Sequence, residues 1–147
     1  MIEYTVKVHD VGTKEWHLNG KRHREDGPAY ECASGHKYWY LNGKRHREDG
    51  PAIEYANGYK AWYINGELNR EDGPAIEYSD GDKYWFINGE RHREDGPAIE
   101  NADGTKYWYL SGVKYTEEEY YNKLNPAKEL TMKELVKELG YNVKIVE

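Results

Sequence analysis

Aromatic and polar positions alternate along this chain in short runs, and the runs recur. In Lys37-Tyr38-Trp39-Tyr40-Leu41 an extended backbone puts Tyr38 and Tyr40 on one side and Trp39 and Leu41 on the other. Asn42-Gly43 follows, a pair suited to positive φ angles and hence to a tight turn. A charged K-R-H-R-E-D stretch leads to Gly50-Pro51, a second short strand is expected over 52–55 (A-I-E-Y), and Ala56-Asn57-Gly58 marks a further turn. Each such block therefore predicts two short antiparallel strands. The side carrying Trp39 and Leu41, with Trp62/Ile64, Trp85/Ile87 and Trp108/Leu110, is the expected core. The opposite side, with Tyr38, Tyr40, Tyr63, Tyr84, Phe86, Tyr107 and Tyr109, is the expected partly exposed face.

The recurrence is regular. Trp16, Trp39, Trp62, Trp85 and Trp108 stand 23 residues apart, giving four full copies (16–38, 39–61, 62–84, 85–107) and the opening of a fifth. A fixed period of this length predicts a repeat architecture, in which one unit cannot cover its apolar side alone and stacks on its neighbours. The expected fold is mainly β, an elongated single-layer antiparallel meander of about nine to eleven strands. At ~4.8 Å per strand it would be on the order of 45–50 Å long. Residues 1–15 read as a strand and a degenerate half-repeat, and 16–112 as the array. In 113–147 the period stops: Thr116/Glu119 and Thr131/Glu134 fit capping boxes, Leu124 and Gly140 mark helix ends, and 141–146 alternate like a final strand. This small α/β segment is expected to seal the open edge of the last repeat, the alternative being a dimerisation or docking element.

Composition narrows the function classes. Phe occurs once against 15 Tyr and 5 Trp, a third of the residues are charged, and mean hydropathy is -1.10. Aliphatic content this low would suggest disorder, but tyrosine and tryptophan bury large areas while keeping a polar handle, so a thin ordered protein is expected. A net charge of -6 argues against nucleic-acid or anionic-membrane binding. The chain has no apolar run long enough to span a bilayer and no leader pattern, and its single cysteine, Cys32, rules out an intrachain disulfide framework. A cytoplasmic location is expected.

The stretch W-Y-L-N-G-K-R-H-R-E-D-G-P-A-I-E-Y-A-N-G at 39–58 resembles the MORN repeat in Trp39, Asn42-Gly43, Lys44, His46 and the Tyr55-Ala56-Asn57-Gly58 turn. R-E-D-G-P-A replaces that family's short glycine run, which is similar to the divergent variants of bacteria, phages and large viruses. The resemblance covers about 16–112. It implies β-hairpin repeats used as scaffolds, tethers and protein-binding surfaces.

The polar motif with chemical potential is H-R-E-D at 23–26, 46–49 and 92–95, replaced by Asn69-Arg70-Glu71-Asp72 in the third copy. A histidine beside two carboxylates could act as a general base or metal ligand. Three near-identical copies and the tolerated Asn69 point instead to structure, with Asp-Gly-Pro as a turn and Arg paired to the recurring Glu31, Glu54, Glu77 and Glu100. No phosphate-loop, nucleophile-elbow or zinc signature is present, so neither enzymatic activity nor a cofactor is expected. The expected function is non-catalytic binding of a protein partner, with a phage-type accessory protein that blocks a host defence factor as the favoured case. Candidate contacts are the Tyr/Phe row together with His46, Arg47, His92 and Arg93. The alternative is a sponge for a nucleotide-like small molecule. Self-association through the C-terminal segment is also allowed for.

Overall fold

The computed structural model describes residues 4–127 and 131–140. The architecture is an open antiparallel meander with a small helical part at its C-terminal end. Twelve strands form the main sheet, beginning with Tyr4–Val8 at one edge and ending with Val113–Tyr115 at the other. Each internal repeat adds two strands to it, for example Lys37–Tyr38 and Ile53–Glu54.

The aromatic strand is shorter than the alternation predicts. Trp39 interrupts it: Lys37–Tyr38 pairs within the main sheet, while Tyr40–Leu41 leaves it and forms a separate hairpin with Lys44–Arg45. The same break recurs at Trp62 and Trp85. The backbone switches partners there because the Trp39 N–H donates to Ala52 C=O (2.8 Å) while its own C=O accepts from His46 N–H (3.1 Å). Of the tryptophan-bearing strands, the first and last, Lys14–Leu18 and Lys106–Leu110, run unbroken, and the structure has more and shorter strands than expected. The tips are the predicted tight turns, with φ of 51° at Asn42 and 81° at Gly43. Neighbouring hairpins are tied together by backbone bonds such as Gly43 N–H to Arg22 C=O (2.8 Å) and Arg47 N–H to Tyr63 C=O (3.0 Å).

Register explains the two faces of the main sheet. One row runs Tyr30, Tyr38, Ile53, Ala61, Ile76, Tyr84, Ile99, Tyr107 across successive strands. The adjacent row alternates glutamate and lysine from Glu31 and Lys37 through Glu100 and Lys106, and opposite charges facing each other contribute ~0.2–1 kcal/mol per pair.

The core lies on the tyrosine side, which corrects the expectation that the tryptophan side is buried. Ile53, Ala61 and Ile76 form a buried cluster with Tyr38, Tyr55, Tyr59, Tyr63, Leu68, Tyr84 and Phe86 packed on it. All five tryptophans are only partly buried. The reason is geometric: tyrosines of successive strands and of the turns beside them form a continuous ring-to-ring row, Tyr30–Tyr38–Tyr55–Tyr59–Tyr78–Tyr84, with centroids 4.9–5.8 Å apart, edge to face except for the tilted Tyr55–Tyr59 pair. Trp16, Trp39, Trp62 and Trp85 are each covered by an arginine instead.

The segment Tyr4–Val8 forms the expected strand, pairs along its whole length with Lys14–Leu18, and is exposed throughout. Helix α1 (Glu117–Leu124) and helix α2 (Met132–Leu139) have the predicted ends. Thr116 and Thr131 head capping boxes with Glu119 and Glu134, and Gly140 closes α2 in the left-handed region. The strand expected over 141–146 lies outside the described residues. Among the described residues no helix is long and apolar enough to cross a membrane.

Candidate functional site

The H-R-E-D-G-P-A-x-E block builds a clamp on each tryptophan. The Arg47 guanidinium carbon sits 4.1 Å from the Trp39 ring centroid. Its Nε donates to Asp49 Oδ1 (2.8 Å), and its Nη1 donates to Pro51 C=O (3.2 Å) and Glu54 Oε1 (2.8 Å). A Cβ on Gly50 would lie 2.9 Å from the guanidinium carbon, so a larger residue there would have to displace the clamped arginine. Arg24, Arg70 and Arg93 repeat the stack on Trp16, Trp62 and Trp85 at 3.9–4.1 Å. The arginine, aspartate, glycine, proline and final glutamate of the motif thus build one clamp: the arginine fork supplies the contacts that a lysine could not make together. The guanidinium hydrogen bonds hold Asp26, Asp49, Asp72 and Asp95 below the usual aspartate range.

The histidine is an inter-repeat staple. Nδ1 of His23, His46 and His92 accepts the backbone N–H of Asn42, Asn65 and Ser111 at 3.0 Å, which puts the ring proton of the neutral tautomer on Nε2. In the third copy Asn69 Oδ1 accepts the Asn88 N–H at 2.8 Å. Asparagine therefore replaces histidine there because the site needs only an acceptor at that point.

The expected contact residues do not form one site. Tyr38, Tyr63, Tyr84 and Phe86 pack on the core, and burial pushes Tyr38, Tyr84 and the neighbouring Tyr59 upward, Tyr59 to about 12. Tyr38 and Tyr40, with Tyr30, Arg22 and Arg45, surround a hollow of about 270 Å³. Tyr107 lies under Lys114 Nζ (4.2 Å) and Tyr109 beside Arg91 (5.5 Å). His46, Arg47, His92 and Arg93 stand on the tryptophan side, away from that row.

What the alternation misses is a series of clefts between consecutive R-E-D turns on the tryptophan side. The first is floored by Trp39 and Leu41 and walled by Glu25, Asp26, Glu48 and Asp49. The second has Trp62 and Ile64 below Glu48, Asp49, Glu71 and Asp72. The third has Trp85 and Ile87 below Glu71, Asp72, Glu94 and Asp95. Their volumes are about 660, 590 and 800 Å³, and all are open to solvent. Each counts four carboxylates against two arginines, and the outer glutamates are largely exposed (86% for the Glu48 side chain). The sequence signal for these clefts is the recurrence of E-D beside a tryptophan of the same parity as Leu41; it shows which residues share a side but not that the side stays open.

The last turn is closed by the chain itself. Tyr120 of α1 is fully buried, its hydroxyl donates to Arg93 C=O (2.7 Å) and accepts from Gly96 N–H (3.1 Å), and α1 packs on Lys106–Leu110. Compared with family models and with curated proteins, the chain matches none.

Proposed function

We propose that this chain is a non-catalytic scaffold that binds a protein partner through its repeat array. The observation that carries this reading is the division of labour within each repeat. The histidine, arginine and aspartate of H-R-E-D are engaged in contacts within and between repeats, while apolar-floored, solvent-open clefts recur between them. Extended repeat surfaces serve recognition, and aromatic residues beside charged ones are the usual anchors of protein interfaces. The resemblance to MORN variants carried by phages makes a host protein, and within that class a defence component, the proposed partner. The test is affinity capture by the full chain from host lysate, with mass spectrometry. A stoichiometric partner lost on Tyr40→Ala, Tyr63→Ala and Tyr109→Ala supports an interface on the aromatic row. Loss on Glu48→Lys and Glu71→Lys places it at the clefts, and no stoichiometric partner counts against the scaffold.

A second reading is favoured by the hollow between Arg22, Arg45, Tyr30, Tyr38 and Tyr40. Two guanidiniums beside three phenol rings suit a planar anion such as a nucleotide. Thermal shift with nucleotides, and the absorbance of denatured purified protein, separate this sponge from the scaffold.

A further inference from the structure

The clefts share a feature that follows from how the array ends. At the fourth R-E-D turn the backbone pair Arg93 C=O and Gly96 N–H is bridged by the Tyr120 hydroxyl, and Gly96 and Pro97 are buried. At the first three turns the same pairs are Arg24/Gly27, Arg47/Gly50 and Arg70/Gly73. Among the described residues no hydrogen bond engages these carbonyls or N–H groups, and the glycines and prolines are only half-buried. Their surroundings repeat as well: a tryptophan and an aliphatic side chain below, and a clamped arginine behind. The first three turns thus repeat the backbone pair that the fourth presents to Tyr120.

Resting on the scaffold reading above, we infer that each open cleft takes a tyrosyl side chain from the partner polypeptide. The phenol ring lies on the tryptophan and aliphatic floor, and the hydroxyl donates to the Arg24, Arg47 or Arg70 carbonyl while accepting from the Gly27, Gly50 or Gly73 N–H. Four carboxylates at each mouth select a partner whose tyrosines are flanked by lysine or arginine. Spacing sets the backbone that can serve several clefts at once. Each repeat contributes two strands to the sheet, so clefts recur every ~9.6 Å. A polyproline II chain advances ~9.3 Å per three-residue turn with side chains returning to the same side, so a tyrosine every third residue keeps step with the array.

The test titrates a synthetic peptide of three Tyr-Pro-Lys units into the full chain, followed by tryptophan fluorescence and calorimetry. Saturable binding is expected, weakened about tenfold or more when phenylalanine replaces tyrosine in the peptide, because each cleft is then left with an unpaired N–H and C=O. The surface variant Glu48→Lys/Glu71→Lys, which leaves the clamps intact, is expected to weaken binding by a similar factor. No binding, equal affinity of the phenylalanine peptide, or indifference to the charge reversal overturns the inference. A captured protein partner insensitive to Glu48→Lys/Glu71→Lys overturns it while leaving the scaffold standing. Failure to capture any partner, with the peptide still bound, overturns the scaffold reading and not the cleft chemistry.

Discussion

Replacing Tyr120 dissects how the array is closed. The phenol is fully buried and bridges Arg93 C=O and Gly96 N–H, so Tyr120→Phe removes one hydroxyl and strands two backbone groups under the ring. An unsatisfied buried pair of this kind costs about 1–3 kcal/mol. Tyr120→Ala also removes the ring and opens a cavity, for about 3–5 kcal/mol. Stability in a stacked array is a sum of unit and nearest-neighbour terms, so the loss should concentrate in the last repeat and α1 and spare the first repeats. Hydrogen exchange by mass spectrometry reads this directly. In Tyr120→Phe, exchange at Gly96 and across Glu117–Leu124 should rise by about 10- to 100-fold, since ~1.4 kcal/mol is a factor of ten. Peptides covering Trp16 to Arg47 should be unchanged. Wild-type exchange at Gly96 in Tyr120→Phe, or a uniform rise along the chain, would refute the reasoning.

Two further outcomes follow from the motif's geometry. His46→Asn should keep the staple to Asn65 N–H, as Asn69 does for Asn88, and leave the denaturation midpoint within ~0.5 kcal/mol, whereas His46→Leu should cost about 1 kcal/mol or more; equal loss in both variants contradicts the acceptor role. The clamped aspartates have folded pKa values below their unfolded one of ~3.9, so their stabilisation is complete above that value and disappears as pH falls through the lower folded values. The denaturation midpoint should therefore drop below about pH 4, less steeply in Asp49→Asn/Asp72→Asn; an equally steep drop in that variant contradicts the clamp.

Much of this fold is legible in the sequence because its signals are local. Asn42-Gly43 dictates its own turn, Thr116 and Glu119 their own cap, and the parity of Tyr38 against Trp39 the face each occupies. The misreadings concern choices that local pattern leaves open. Parity cannot say which face is covered, and a row of large tryptophans invites the wrong answer. Four of the five are covered by a single arginine rather than by a packed layer and stay partly exposed, while Ile53, Ala61 and Ile76 carry the core with the tyrosines. The strand break at Trp39 depends on partners at Ala52 and His46, and the clefts depend on adjacent repeats, so neither is written in a single unit. Tyr120 lies outside the period altogether, and its role depends on the Arg93 and Gly96 backbone groups it reaches more than twenty residues back, so no local pattern announces it.

In the proposed reading the repeated polar block is architecture, which leaves the clefts between blocks free for a partner. Arg70 gives the cleanest test, because its repeat lacks histidine and its fork engages Asp72, Pro74 and Glu77 over Trp62. Lysine keeps the charge but not the planar fork, so urea denaturation of Arg70→Lys should show about 1–2 kcal/mol less stability than wild type. A midpoint unchanged within ~0.3 kcal/mol would contradict the account and return H-R-E-D to the list of candidate functional groups.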